Sequence, residues 1–210
     1  MTAVFAEVPF QYRHHCWFCN EPSGNSYTFP NDKQLVLQCV HPQVTVPCCD
    51  ECKPFAQGAK GDNLWHITYA VKNKLHKKYR KHLAIGLNWT KEELEQSEFD
   101  GGNFEGFKRS AWFMFEVALA RVNFQQYPLI IEGIEYKPTH KSHFIFDGVT
   151  YPSIDVAISH YSKNFDLDQA LLRKALFILG DQSFSRAVSF CRLMVGATPQ
   201  EKQAGLKSLF

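Results

Sequence analysis

The strongest periodic signal in the chain starts at Asp62. Leu64, Ile67, Val71, Leu75 and Tyr79 recur at steps of three and four, which lays one apolar stripe along a helix. Gly86 reads as the end of that region. Thr90-Lys-Glu-Glu93 has the capping-box pattern, in which the hydroxyl and the carboxylate satisfy reciprocal amides, so a short helix is expected to start there. Asp100-Gly-Gly102 reads as a break. Phe104 to Phe124 is the most apolar stretch and is rich in aromatics, which predicts the central buried helix of the protein.

After Pro128 the period shortens. Leu129 to Tyr136 has strand-type content, Pro138 breaks it, and His143-Phe-Ile-Phe146 reads as a further strand. Asp147-Gly148 is a hairpin signal, because both central positions of a tight type I′ turn need positive φ; Val149 to Tyr151 continues the hairpin. Helices are then expected from a Ser153 cap to about Ser162, from Asp166 or Asp168 to about Leu179, and over roughly Ser183 to Val195. Thr198-Pro-Gln-Glu201 starts another at the tail. Near the other end, Gln34 to Val40 and Val44 to Val46 read as extended runs, and residues 1–13 as an arm. The fold class expected is α+β and mainly helical: an amino-terminal knuckle module (1–61), a helical middle region (62–128), and a hairpin with a helix-turn-helix-like bundle (129–210).

Composition narrows the class. With 45% hydrophobic and 21% charged residues, the 210-residue chain has too much apolar content for disorder. No run approaches the ~18 consecutive apolar residues of a membrane span. The first residues lack a basic segment before an apolar core, so no secretory signal is expected. Together these predict a cytoplasmic protein with no membrane partner.

Cysteine is the decisive residue type. Six of the seven lie within the first 52 positions, and four form two Cys-x-x-Cys knuckles, Cys16/Cys19 and Cys49/Cys52. An odd count without an export signal argues against a disulfide framework. Each knuckle offers two thiolates from one turn, at the ~2.3 Å sulfur distance of tetrahedral zinc, so structural Zn2+ is expected. A knuckle shifted by one residue would use Cys48 instead of Cys49, but the spacing to Cys52 favours Cys49. A second metal drawing on Cys39, Cys48 and a histidine lacks a fourth ligand, and Cys39 is read as a small apolar residue in a strand.

His15-Cys-Trp-Phe-Cys19, Tyr27-Thr-Phe-Pro30 and Val44-Thr-Val-Pro-Cys-Cys-Asp-Glu-Cys52 together resemble the cysteine-knuckle branch of HNH-type treble-clef proteins, over about 50 residues. The resemblance implies a zinc treble clef. In that branch an acidic-His pair follows the first knuckle and Asn follows the last cysteine. Here Ser26-Tyr27 and Lys53 stand in those places. Hydrolysis on this scaffold needs a histidine to activate water and a further divalent ion. His41 lies between the knuckles, eight residues before Cys49, and His66 lies on the following helix; these are the alternative catalytic candidates. The module reads as structural zinc with catalysis lost.

Two further features bear on partners. Lys72, Lys74, Lys77, Lys78, Arg80 and Lys81 fall within eleven residues that contain no acid. Lys74, Lys77, Lys78 and Lys81 share a helix face, and such a face favours phosphate through counterion release. The bland reading is a solvated face, or one paired with the acidic stretch that starts at Glu92. Farther on, Phe144-Ile-Phe-Asp-Gly-Val-Thr-Tyr-Pro-Ser-Ile-Asp-Val-Ala157, with Leu171 to Gly180 and Ser185-Arg-Ala187, resembles the small modular DNA-binding repeats attached to homing endonucleases, over about 45 residues. Gly148, Tyr151, Ser153 and Ala157 match as turn, packing anchor, helix cap and close helix contact. Arg173, Lys174 and Arg186 are the obvious phosphate or base contacts of that segment.

The two resemblances imply a zinc-binding, nucleic-acid-associated protein, with DNA favoured over RNA, from a phage, mobile-element or defence locus. Cys16, Cys19, Cys49 and Cys52 are expected to hold zinc, and Lys74, Lys77, Lys78, Arg80 and Lys81 to contact phosphate. The alternatives are a divergent metal-dependent nuclease using His41 or His66, and a zinc-stabilised interaction module that buries the aromatic middle helix against another chain.

Overall fold

The computed structural model describes residues 4–31, 36, 39–97, 102–138 and 143–209, with the backbone alone over 102–105. The fold is mainly helical α+β, as expected. No helix among the described residues is long and apolar enough to cross a membrane. Two compact units divide the chain, residues 1–142 and 143–210.

In the first unit, strands β1 (Val4–Phe5), β2 (Asn25–Phe29) and β3 (Val44–Cys48) form a sheet in the order β1-β3-β2. β1 runs parallel to β3, and β2 antiparallel to it. Asn25 pairs with Cys48, Tyr27 with Val46 and Phe29 with Val44, so Tyr27, Phe29, Val44, Val46 and Cys48 line one buried face. Helix α1 (Cys52–Gln57) follows at once, and α2 (Leu64–Asn88) crosses the unit. The short α3 (Lys91–Gln96) and the long α4 (Gly102–Asn123) complete the helices, and the hairpin β4 (Leu129–Ile131)/β5 (Ile134–Tyr136) closes the unit.

α2, rather than α4, is the central buried helix. Its apolar stripe Leu64, Ile67, Val71, Leu75 and Tyr79 is buried as expected, and Leu83 extends it. Each fully buried leucine or isoleucine contributes about 1.5–3 kcal/mol relative to exposure. Asn63 caps the helix, its Oδ1 accepting from His66 N at 3.0 Å. Among the described side chains of α4, Ala118, Arg121 and Val122 are buried, whereas Phe113 is 62% and Phe107 66% exposed. Phe113, within the stretch expected to form the central buried helix, is thus exposed and not part of the core. Hydrophobicity alone cannot reveal which side of a helix that mixes aromatic and charged residues along its length finds a neighbour.

Gly86 does not end α2. It lies within the helix, facing Phe115 of α4, where an added Cβ would come within 2.3 Å of the ring. The glycine reflects close helix approach rather than termination. Gly86→Leu is expected to cost about 1–3 kcal/mol from overpacking, read as a lower urea midpoint at unchanged slope.

Other expectations meet mixed outcomes. The Thr90/Glu93 capping box forms, with Glu93 N donating to Thr90 Oγ1 at 3.1 Å and Thr90 N to the Glu93 carboxylate at 2.8 Å. Most of Gln34–Val40 falls outside the described residues, as do Asp100 and Gly101 of the expected break, while Gly102 opens α4. Cys39 and Val40 are described, and neither is in a strand. Strand β1 comes from the segment read as an arm, and β2 from residues for which no strand is expected. A two-residue strand is too short for alternation to register, and in β2 only Tyr27 and Phe29 carry the apolar signal.

The second unit opens with the hairpin β6 (Phe144–Phe146)/β7 (Val149–Tyr151). Asp147 and Gly148 take φ of 52° and 71° at its turn, as the type I′ reading requires. Helices α5 (Ile154–Asn164), α6 (Gln169–Leu179), α7 (Phe184–Leu193) and α8 (Pro199–Lys207) follow. Phe184 anchors the core, with the rings of Phe144, Phe146 and Tyr161 at 5.0, 4.8 and 5.3 Å. Ala157, Ala175 and Ala187 are fully buried, which lets the helices approach closely. Asp168 caps α6 through Ala170 N and Leu171 N, and the Thr198/Glu201 box caps α8. Ser153 stands at the start of α5 without making a side-chain capping bond.

Candidate metal centre

The register of β2 with β3 decides where the knuckles meet. β3 ends beside the start of β2, and Trp17 N donates to Pro47 O at 2.9 Å, which ties the first knuckle to the end of β3. Cys16 N donates to Glu21 O at 2.7 Å, and Asn20 takes φ of 64° as the chain reverses. Cys52 opens α1, so the second knuckle is also a helix start. Trp17 anchors the assembly to α2, its indole N–H donating to Thr68 Oγ1 at 3.2 Å.

Cys16, Cys19, Cys49 and Cys52 come together, all buried, with their sulfurs within 4.8 Å of one another. Cys19 Sγ and Cys49 Sγ are 3.7 Å apart. Four sulfurs set tetrahedrally at about 2.3 Å from one ion lie about 3.8 Å from each other, so the spacing fits a tetrahedral metal. Backbone amides already point at the sulfurs: Phe18 N donates to Cys16 Sγ and Cys52 N to Cys49 Sγ, each at 3.4 Å. Such bonds stabilise thiolates. Thiol hydrogen bonds from Cys16, Cys19 and Cys52 hold the Cys49 thiol far below its usual range, whereas Cys19 and Cys52 are pushed up. A cation among the four sulfurs would favour the ionised form of each, because metal ligation needs the thiolate.

The donor set could hold one metal ion, and it is the only such group among the described residues. Cys49, not Cys48, belongs to it. Cys48 ends β3 and points to Cys49 O at 3.5 Å. Cys39 is outside the cluster, its thiol pushed up by burial.

A charged network that sequence reasoning missed surrounds the cysteines. Arg121, on α4, is buried and donates through Nη2 to Cys19 Sγ at 3.4 Å. Its Nη1 pairs with Glu51 Oε2 at 2.5 Å and also donates to the Tyr79 hydroxyl. Tyr79 OH donates in turn to Glu51 Oε2 at 2.9 Å, and Lys78 Nζ pairs with Glu51 Oε1 at 2.5 Å. Burial alone would raise Glu51, but Lys78, Tyr79 and Arg121 hold its carboxyl below the usual range. Lys72, also buried, donates to the carbonyls of Arg121, Val122 and Phe124 at 2.8, 3.2 and 2.8 Å, closing the C-terminus of α4. Burial pushes its ammonium down to about 8, against the attraction of the cysteine sulfurs. The available signal was positional: Lys72 and Arg121 each fall among apolar residues on a packed helix face.

The histidines stand differently from the catalytic alternative. His41 is buried, and Leu64 N donates to its Nε2 at 2.9 Å. The proton is thereby assigned to Nδ1, which donates to Pro42 O at 2.8 Å. Both nitrogens serve backbone groups, and the ring satisfies an orphan amide at the start of α2. Neither is left to activate water. His66 is exposed beside Asp62, with ring and carboxylate 3.9 Å apart. Tyr27, in the acidic-His position, is buried on β2, and Lys53 donates to Asn25 Oδ1 at 3.1 Å.

Removing His41 has a defined cost. Burial lowers its pKa below the ordinary 6.5, so the neutral ring's contribution is complete above about pH 6.5 and is lost as pH falls through the depressed folded value. His41→Ala is expected to cost about 1–3 kcal/mol at neutral pH and to flatten the acid limb of a stability–pH curve. Equal acid sensitivity in the variant would contradict this role.

On α2, Lys74, Lys77, Lys78 and Lys81 are exposed and Arg80 half-buried. In the second unit Arg173 pairs with Asp155, and Lys174 and Arg186 are exposed. No family model, curated protein or solved structure matches this chain.

Proposed function

We propose that the protein is a zinc-stabilised, non-catalytic nucleic-acid-associated protein in which the metal fixes a treble-clef-like module and α2 presents a basic face to phosphate. The observation that carries it is the convergence of four buried cysteine sulfurs from two knuckles, beside the Thr68–Tyr79 stretch of that helix. Zinc is preferred because a redox-inert tetrahedral ion suits a closed four-thiolate site.

Nucleic-acid contact rests on the exposed lysines. Lys74, Lys77 and Lys81, with Arg80, supply the phosphate contacts, and duplex DNA is the favoured partner because the second unit also resembles a DNA-binding repeat. Lys78 lies on the same face, but its pairing with Glu51 gives it a second role within the protein. The relation to HNH-type proteins of phage, mobile-element or defence loci, and a cytoplasmic setting, belong to the same proposal. The binding of His41 to backbone on both nitrogens supports loss of hydrolysis.

Fluorescence anisotropy with a labelled DNA duplex at several salt concentrations tests the proposal. Binding that weakens steeply with salt, with the duplex left intact in Mg2+ or Mn2+, is expected. Cleavage would favour the nuclease alternative. The exposed Phe107 and Phe113 support the interaction-module reading, for which salt-insensitive self-association without DNA retention is the expected sign.

A further inference from the structure

A four-cysteine zinc centre carries two net negative charges, because four thiolates outweigh the ion. Burying such a charge is costly unless cations and hydrogen bonds accompany it. The first unit places both beside the cysteines. Arg121 reaches Cys19 Sγ directly, although 102 positions separate the two residues. Glu51 would cancel the guanidinium charge, but it is itself matched by Lys78. The Arg121 charge thus remains available to the sulfurs. Lys72 adds a second buried cation, held by the last carbonyls of the helix that carries Arg121.

We propose that Arg121 is the positioning residue of the metal centre: its guanidinium offsets thiolate charge at Cys19 and, through Glu51, locks α4 onto the second knuckle. The inference rests on the zinc reading and goes beyond it. Metal retention then depends on a residue that is not a ligand, and the docking of α4 depends on the metal. A methionine of similar length would fill the space but supply neither charge nor donors.

Zinc transfer from the loaded full-length protein to a chromophoric chelator gives the readout. Arg121→Met is expected to release zinc about 10–100-fold faster than wild type, the range for lost outer-shell partners of metal ligands. Arg121→Lys keeps the charge but cannot span Cys19 and Glu51 together, so an intermediate rate is expected. The discriminating arm uses Cys19→His, which replaces a thiolate by a neutral ligand and lowers the charge of the centre. In that background Arg121→Met should accelerate release far less. The same acceleration in both backgrounds would assign Arg121 a packing role and overturn the inference. If Arg121→Met does not fold with zinc, Arg121→Lys is compared in the two backgrounds by the same criterion. Wild-type protein without bound metal would remove the zinc reading itself; loaded wild type with an unchanged release rate in the variants would remove only the role of Arg121.

Discussion

Cys49→Ser should leave the protein unable to retain its metal and should unfold the first unit. The expected loss is large because the four sulfurs join the two knuckles, and the structure around them is a small sheet and a six-residue helix. Neither a hairpin of this size nor α1 is stable alone. Binding free energy for structural zinc at neutral pH is on the order of 10 kcal/mol, and most of it appears as folding stability. Excess chelator should act like the substitution: far-UV ellipticity falls, and the fluorescence of Trp17, which is buried between the cysteines of the first knuckle, moves toward that of exposed indole. Cys48→Ser is the control. Its thiol touches Cys16 but is not one of the four grouped sulfurs, so zinc content should stay at one per chain.

The second large effect concerns the basic face. Lys77→Glu with Lys81→Glu is expected to weaken duplex binding at least about ten-fold near 0.1 M salt and to lower the salt slope by about two. Both side chains are exposed and outside the network around the cysteines, so zinc content and stability should hold. Lys78→Glu should behave otherwise. It places a carboxylate against Glu51, beside Arg121 and the second knuckle, so zinc release should quicken along with any loss of binding. If the Lys77/Lys81 double variant binds DNA as wild type does, the phosphate-binding role of α2 fails, whatever the metal content.

The legible part of the sequence was whatever repeats at short range. The Leu64–Tyr79 stripe, the Asp147-Gly148 turn and the Thr90 and Thr198 boxes are each fixed by residues within a few positions of one another, and all formed. The clustering of the four cysteines was equally legible, because a knuckle is a local motif and two knuckles suit one ion. What resisted reading depends on partners far along the chain. Gly86 is explained only by Phe115, Lys72 by the carbonyls that end α4, and Arg121 by Cys19. His41 could be weighed as a base or a loop residue from its spacing, but its task is set by an amide 23 positions away. The exposed aromatics of α4 show the converse limit: apolar content marks a helix as amphiphilic or buried only once its neighbour is known.

One measurement reaches the base of the account. X-ray absorption at the zinc edge, with elemental analysis of the same purified full-length protein, reports the metal, its number per chain and its ligand atoms. The account requires one zinc per chain with four sulfur neighbours at about 2.3 Å and no nitrogen or oxygen in the inner shell. Iron in its place, a mixed sulfur–nitrogen shell, or folded protein free of metal would contradict it.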